Sequence, residues 1–291
     1  MIDRTAALSV ANTAIYTDSG ADLPASLRAD NVRVCPLTIN FGQESFKDGV
    51  DITPEEFYAR LSTTSVMPTT AQPSSAELAD LYREALAERE YIVALHLSER
   101  VSGTAEAARA AAREMGADRI SVIYTGQIAC GLSLLISRVQ EMLEAGTTLA
   151  GIEAQVDHFR ANCLTLFTLE SLEFLQRGGR IGRAQYMAGS LLKVRPILEV
   201  ADGEVSSVGK VRGAHKVIPA LAAALAESTP ADTPLRVAIG HAQRPEAVGR
   251  VAQMVRETRP QASIEYTFEL GPTIGTHGGP GTVGLSAVSL A

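Results

Sequence analysis

The first half of the chain alternates short β-rich runs with helical patterns, and this alternation restricts the fold more than any other feature. Strands separated by helices are typically joined by crossover connections that keep them parallel. The alternation therefore predicts a parallel sheet with crossover helices. The predicted strands are TAIYT (13–17), VRVCPL (32–37), YIVALHL (91–97) and RISVIYT (119–125).

The helices between these strands are marked by their termini. Thr53-x-x-Glu56 and Ser74-x-x-Glu77 are capping boxes, in which side chains satisfy free backbone N–H groups of the first turn. An alanine-rich helix over 105–116 follows Ser102-Gly103-Thr104, so a helix N-terminus suited to anions comes directly after a strand. Two further helices are predicted over 129–145 and 149–162.

A new β region begins at LTLFTL (164–169), and we place the domain boundary near residue 160. A chain of 291 residues is long for one compact domain and ordinary for two, here residues 1–160 and 161–291. The second half predicts an α/β layer with mixed strand directions. Its predicted strands are RPILEV (195–200), EVSSVGKVR (204–212), LRVAIGHA (235–242) and SIEYTFEL (263–270), with helices over 215–227 and 245–258.

Charge and cysteine content restrict the possible partners and the compartment. The formal net charge is -7, and no block of Lys and Arg interleaved with aromatic residues is present, so a nucleic acid partner is not expected. The three cysteines match no metal-ligand spacing and are odd in number, which favours a reducing cytoplasm. The uncharged runs are broken by glycine and proline, and the N-terminus lacks the apolar core of a signal peptide. We expect a cytoplasmic protein.

The stretch from Leu270 to Ala291 is rich in glycine and carries one titratable residue, His277. Glycine lets backbone approach a bound molecule without a Cβ in the way, so His277 is a candidate ligand residue. The run Gly279 to Gly284 matches the dinucleotide fingerprint formally, but too few residues follow it for a βαβ unit. The run 203–210 has the wrong spacing for a P-loop. Neither predicts a nucleotide site.

The candidate residues also have simpler interpretations. Ser102 and His277 resemble a nucleophile and its base, although no G-x-S-x-G elbow is present and no acid can be named to orient the histidine. In the simpler interpretation, the hydroxyl of Ser102 only caps a helix or stabilises a turn, and His277 only forms hydrogen bonds with backbone within a turn. Likewise, Thr69 and Thr70 would only be turn residues ahead of the helix capped by Ser74, and the 177–180 segment would only be a solvated loop.

Eight segments, taken together and in order, form a recognisable pattern. They are TDSGADLP (17–24), PLTINFG (36–42), FKDGVDITPEEFY (46–58), MPTTAQPS (67–74), LSERVSGT (97–104), LQRGGRIG (175–182), LLKVRPIL (191–198) and GPTIGTHGGPG (271–281). This pattern resembles the DegV family, and the similarity runs from about Ala14 to the C-terminus. The members of that family are bacterial fatty-acid-binding proteins that serve as the lipid-carrying subunits of fatty acid kinase.

The resemblance implies a two-domain α/β protein, with a three-layer α/β/α N-terminal domain around a parallel sheet and a two-layer C-terminal domain around a mixed sheet. It implies one long-chain fatty acid with its tail in an apolar tunnel, and neither a cofactor nor a metal. A separate ATP-binding kinase subunit would phosphorylate the carboxylate for phospholipid synthesis, and transient contact with a membrane surface would exchange the lipid. Carried over by position, the carboxylate ligands are Thr69, Thr70, Ser102, Gly103 and His277, and the junction or partner contacts are Arg177, Arg180 and Arg212.

Three segments depart from the family pattern. YTGQIACG (124–131) stands where an Asp-Ser pair is usual, Ala71 stands where many members have serine, and Gly213-Ala214 replaces more basic residues. These departures affect the expected tunnel wall, one hydroxyl contact and the partner surface. The alternatives to a kinase-linked carrier are an esterase using Ser102 and His277, an acyl-phosphate transferase, and a fatty-acid reservoir or sensor without a kinase partner.

Overall fold

The computed structural model describes residues 2–116, 118–187 and 194–289, in which strands and helices alternate along the chain. The strands in chain order are β1 Ala7–Leu8, β2 Thr13–Asp18, β3 Val32–Cys35, β4 Thr38–Phe41, β5 Glu44–Lys47, β6 Thr69–Ala71, β7 Tyr91–Leu95, β8 Ile120–Ile123, β9 Thr147–Thr148, β10 Leu164–Thr168, β11 Val194–Ala201, β12 Glu204–Arg212, β13 Arg236–His241, β14 Ser263–Glu269 and β15 Val283–Val288. The helices are α1 Pro54–Thr63, α2 Ser75–Glu88, α3 Thr104–Glu114, α4 Ala129–Ala145, α5 Leu149–Asn162, α6 Glu173–Arg177, α7 Val217–Ser228, α8 Pro245–Thr258 and α9 Pro272–Gly278.

The predicted parallel sheet is present, with strand order β3-β2-β7-β8 and parallel pairing throughout. Successive side chains of a strand point to opposite faces, and both faces of this sheet are covered. Ala14 and Tyr16 of β2 pack with residues of α2 and α3, whereas Ile15 packs with residues of α4 and α5. The three-layer α/β/α arrangement of the first half is therefore confirmed.

The second sheet has six strands in the order β12-β11-β10-β15-β13-β14. Only β13 and β14 pair in parallel among its described neighbours, so the sheet is mixed, as predicted. Residues of α7 and α8 form a buried cluster with one face of the sheet. Helix α4, which also contacts β2, lies against β13 and β15 on the other face, so one helix joins the two sheets.

A third sheet, with strand order β5-β4-β6, was not predicted. The simpler interpretation of Thr69 and Thr70 places them in a turn, but the register pairs Thr70 with Ile39 and Thr69 with Asn40 in an antiparallel ladder. Ile39 is fully buried, so the side chain of Thr70 is on the inner face of this small sheet and that of Thr69 is on the outer, exposed face.

The glycine-rich C-terminal stretch is more regular than its composition indicates. SIEYTFEL was predicted as the last strand, but β14 is followed by α9 and by the fully buried strand β15, which lies in the middle of the six-stranded sheet. His277 therefore lies on a short helix rather than on an extended segment. Tertiary packing has overridden the low helix and strand propensity of glycine here.

Strand β10 is the first strand along the chain that belongs to the six-stranded sheet. The division into residues 1–160 and 161–291 stays a prediction. The resemblance segment 191–198 lies in part outside the described residues, which resume at Val194. In the described ranges no helix has both the length and the apolar character needed to cross a bilayer.

Candidate functional site

An apolar cavity of about 110 Å³ is lined by residues of α9, of the small sheet that contains β6 and of the six-stranded sheet. A single water needs roughly 10–15 Å³, so the cavity has room for a ligand and is more than a packing defect. Apolar walls with a few converging polar groups are typical of small-molecule sites. The apolar lining residues are Leu37, Leu97, Val101, Ile128, Phe167, Leu169, Leu175, Val205 and Ile274, and the polar ones are Thr70, Gln72, Ser102, Arg180, Thr273, His277 and Thr282.

His277 and Thr70 meet at the polar part of this cavity. The Nε2 atom of His277 lies 2.9 Å from Oγ1 of Thr70, although 207 positions separate the two residues in the chain. Burial lowers the pKa of His277 to about 4, and the nearby Arg180 charge adds to that effect. The imidazole is therefore neutral at pH 7, and its Nδ1 atom has no hydrogen-bond partner among the described residues.

Gly178 provides the space that the His277 ring occupies. A Cβ added at Gly178 would lie well inside van der Waals contact of the His277 Nδ1 atom and 2.9 Å from Cε1. The backbone at Gly178 has an ordinary helical φ of -73°, so its conformation alone would accept alanine. The reason for glycine at this position is the close approach of the imidazole.

The lowered pKa of His277 predicts an acid-sensitive contribution to stability. The folded ring takes up a proton only near pH 4, whereas the unfolded ring does so near 6.5. The unfolded state therefore gains protons first, and folding stability falls as the pH drops from about 6.5 to about 4. Relative to His277→Gln, we expect the wild-type free energy of unfolding to fall by about 1.4 kcal/mol per pH unit in this window. Denaturant titrations at a series of pH values measure the free energy of unfolding of both proteins. If its pH dependence were the same for wild type and His277→Gln, the prediction would be wrong.

Ser102 lies in the turn that leads into α3. Its hydroxyl is 2.8 Å from Oγ1 of Thr104 and accepts a hydrogen bond from the Thr104 backbone, so the predicted turn-hydroxyl interpretation describes its present contacts. Gly103 is the N-cap residue of α3, and the side chain of Gln72 packs directly over it. The first N–H groups of a helix have no intrahelical acceptor, so this turn offers donors beside the cavity.

The geometry is weak for nucleophilic catalysis. The hydroxyl of Ser102 contacts Thr104, and the imidazole of His277 contacts Thr70. A serine nucleophile needs a base within hydrogen-bond reach, and that base is normally oriented by a third group. Nothing among the described residues accepts or donates at the second ring nitrogen of His277.

The predicted arginines fall into two groups. Arg180 lines the cavity, donates from Nε to the carbonyl of Val101 at 3.0 Å and from Nη1 to that of Gly178 at 2.7 Å, and so connects the Ser102 turn to the Gly178 loop. Arg177 is exposed and pairs with Glu173 at 2.7 Å. Arg212 is exposed at the end of β12.

The structure thus brings four predicted residues to one cavity, namely Thr70, Ser102, His277 and Arg180. Gly103, Thr69, Arg177 and Arg212 do not line it, although Gly103 lies next to Ser102 and beneath the side chain of Gln72, which both do. Sequence reasoning did not single out Gln72, Thr273 or Thr282. Thr273 and His277 are four positions apart on α9 and share a helix face, a spacing that would have identified Thr273 had the helix been predicted.

A second cavity, of about 340 Å³, lies at the N-terminal end of α9 and is lined by the carboxylates of Asp22, Asp48 and Glu269. Asp22 accepts a hydrogen bond from the backbone N–H of Gly271 at 2.9 Å, and Asp48 accepts from both the N–H and the hydroxyl of Thr273. Burial raises the pKa of both Asp22 and Asp48, and the charge of Asp48 raises that of Asp22 further. The two acids hold the start of the helix that carries His277.

Asp22→Asn is expected to stabilise the protein at pH 7. The pKa of Asp22 is raised on folding, so its contribution to stability is present below the unfolded value near 3.8 and is lost as the pH rises through the folded value. Asparagine keeps an acceptor for Gly271 and tolerates the left-handed φ of 48°. The gain should be present at pH 7, where the buried carboxylate is forced towards its charged form, and should vanish below about pH 4, where Asp22 is protonated in both the folded and the unfolded state. Thermal unfolding at pH 7 and below about pH 4 tests this prediction, with the substitution of an exposed aspartate, Asp30→Asn, as the control. A lower melting temperature at pH 7 would count against it.

The sequence model of the family described as "DegV: Uncharacterised protein, DegV family COG1307" matches residues 12–290. Among curated relatives, a DegV domain-containing protein of Deinococcus radiodurans is 32% identical over 280 residues, covering 96% of this chain and 99% of the relative. A DegV domain-containing protein of Streptomyces coelicolor is 33% identical over 276 residues, covering 94% and 97%.

Solved structures extend the similarity to the fold. A DegV family protein from Thermus thermophilus, described as binding fatty acid, has a TM-score of 0.89 and 35% identity, covering 96% of this chain and 100% of its own. DegV from Bacillus subtilis, described as a fatty acid binding protein, has a TM-score of 0.85 and 28% identity, covering 96% and 99%.

Proposed function

This chain belongs to the DegV family, and on that premise we propose that it binds one long-chain fatty acid, with the tail in the apolar cavity and the carboxylate at the Thr70–His277 pair. The observation that carries the proposal is this cavity, whose polar residues come from distant parts of the chain and meet apolar walls. The fatty acid binding described for the relatives from Thermus thermophilus and Bacillus subtilis supports the choice of ligand.

The head group is held by Thr70, Ser102 with the adjacent Gly103 backbone, and His277. One tautomer of the neutral imidazole leaves a donor for the carboxylate. If Nε2 carries the ring proton and donates it to Thr70, the Thr70 hydroxyl is free to donate to the carboxylate, whereas a proton on the buried Nδ1 would face Gly178. Hydrogen bonds to a charged group contribute about 1.5–3 kcal/mol each.

The tail supplies most of the affinity. At roughly 0.8 kcal/mol per buried methylene, about fourteen methylenes contribute on the order of 11 kcal/mol before ordering costs are subtracted. The head-group contacts then set the orientation of the ligand. Thr69, on the outer face of its strand, is the weakest of the predicted ligand residues.

The bound carboxylate is presented to a separate ATP-binding kinase subunit, which forms the acyl phosphate used in phospholipid synthesis. The chain itself holds and orients the lipid, needs no cofactor or metal, and does not catalyse the transfer. It works in the cytoplasm and exchanges lipid during transient contact with a membrane surface. Exposed Arg212 and Arg177 are the proposed partner contacts, and Arg180 orders the mouth of the cavity.

Mass spectrometry of lipids extracted from the purified protein tests the ligand, and a fatty acid near one per chain is the expected result. A preparation that neither contains nor takes up fatty acid would refute the proposal. Ser102→Ala separates the carrier from the esterase: an esterase loses its turnover of an activated ester, whereas the carrier has none and retains the lipid with reduced affinity.

A mixture of this chain, ATP and a purified bacterial fatty acid kinase subunit tests the partner. Acyl phosphate should form, and Arg212→Ala should weaken kinase binding while fatty acid is retained. Arg256→Ala, an exposed arginine on α8, is the matched control. Retained lipid without acyl phosphate would favour the reservoir, and equal kinase binding by both variants would remove Arg212 from the contact surface.

A further inference from the structure

Helix α9 connects the two cavities. Thr273, in its first turn, lines the apolar cavity while its N–H and hydroxyl both bond to Asp48, which lines the acidic one. One turn later, His277 lines the apolar cavity and contacts Thr70. Residues four apart on a helix lie about 6 Å apart along its axis, so a movement at Thr273 is transmitted directly to His277.

We propose that Asp48 is a positioning residue for the head-group site, holding α9 through Thr273 so that His277 meets Thr70. The inference rests on the proposed function for its binding readout. Asp48 itself touches neither His277 nor the apolar cavity, so its effect is indirect.

Asp48 is well placed to act as a fixed anchor. It directly follows β5, and its backbone N–H donates to the carbonyl of Leu37, the residue just before β4, at 2.9 Å. The N–H of Leu37 in turn donates to the hydroxyl of Ser19 at 3.1 Å, and that hydroxyl lies 3.1 Å from Oγ1 of Thr273. Thr273 is therefore bonded to residues that follow strands of two different sheets.

Helix α9 needs such an anchor because it is short. It spans seven residues, two of them glycines, and a helix of this length is not stable without tertiary contacts. Its first residues have no intrahelical acceptor for their N–H groups, and the Asp48 carboxylate accepts from Thr273. Asp22 accepts from the preceding Gly271, so the entry to the helix is held at two points.

The experiment compares Asp48→Ala, Asp48→Asn and Thr273→Val with Asp51→Ala. Asp48→Ala removes the acceptor, Asp48→Asn keeps an oxygen that can accept both bonds, and Thr273→Val removes the hydroxyl while keeping the shape. Asp51 is the matched control, because its carboxylate accepts from Lys47 in the same loop and makes no bond to α9. Two quantities are measured: hexadecanoate affinity, and the pKa of His277 by NMR titration of the ligand-free protein.

We expect Asp48→Ala to weaken hexadecanoate binding at least about tenfold and to move the pKa of His277 from about 4 towards 6.5, because the ring becomes exposed. Thr273→Val should shift both quantities in the same direction. The hexadecanoate affinity of Asp48→Asn should stay within about threefold of the wild-type value, and that of Asp51→Ala should equal the wild-type value. A role in stability alone would lower the melting temperature without moving the His277 pKa.

The inference is overturned if Asp48→Ala and Thr273→Val bind like wild type and His277 titrates unchanged, or if Asp48→Asn is as impaired as Asp48→Ala. Should Asp48→Ala fail to fold, Thr273→Val decides alone. Failure of the proposed function would look different: the wild type would bind no hexadecanoate, while the titration of His277 would still report whether Asp48 positions the ring.

Discussion

Shortening the ligand from hexadecanoate to decanoate is expected to weaken binding by about 10³-fold or more. The change removes about six methylenes from the apolar cavity, and each buried methylene contributes roughly 0.8 kcal/mol, which gives about 5 kcal/mol in total. Every 1.4 kcal/mol corresponds to about a tenfold change in the dissociation constant. The series is measured by displacement of a fluorescent fatty acid at concentrations below micelle formation.

The methyl ester of hexadecanoate is the control for the head group. It keeps the tail and loses the charge for which we propose Thr70, Ser102 and His277 as ligands, so its affinity should fall by about 10- to 100-fold. If affinity depended little on chain length while the ester failed to bind, the tail would lie outside the cavity lined by Leu97, Phe167 and Leu175, and the proposed division between tail and head would be wrong.

Gly178→Ala is expected to reduce fatty acid affinity by about 100-fold although the substitution adds one methyl group. The new Cβ would overlap the imidazole of His277 and approach the carbonyl of Phe174 to 3.0 Å. The ring must rotate or α9 must shift, and either movement breaks the contact with Thr70. Overpacking of this kind also costs about 1–3 kcal/mol of stability. Isothermal titration with hexadecanoate and thermal unfolding measure the two effects.

Gly249→Ala is the matched control for Gly178→Ala. Apart from the adjacent residues and the local helix backbone, no atom of the described residues lies within 4 Å of a Cβ added at Gly249, which is inside α8. Gly249→Ala should therefore bind fatty acid normally, and the helix should be stabilised by about 1 kcal/mol. Normal binding by Gly178→Ala would show that the loop at 177–180 yields easily and that the position of His277 does not depend on it.

The sequence was most informative where local capping decides the structure. Helices α4 and α5 run over 129–145 and 149–162, as predicted, because Gly146 ends the first and the Thr148 side chain caps the second. Both capping boxes are present, with Thr53 and Ser74 bonded to the third residue of their helices. These signals lie within a few residues of each other, so they can be read without knowing the fold.

The sequence was least informative where distant segments decide the structure. Thr70 faces inward and Thr69 outward because β6 pairs with β4, some thirty residues earlier in the chain, and no local signal sets that register. Helix α9 forms from GPTIGTHG because Asp22 and Asp48 hold its start and Gly178 leaves room for His277 near its end. The resemblance to a family supplied these ligand positions, whereas composition alone indicated only an unusual stretch of backbone.

Strand β15 comes after both β10 and β13 along the chain and occupies the middle of its sheet, between them. During translation, β10 and β13 emerge from the ribosome without the strand that separates them, and the imidazole emerges shortly before it. A polypeptide released before residue 283 therefore exposes two unpaired strand edges, and such edges favour pairing with other chains and aggregation.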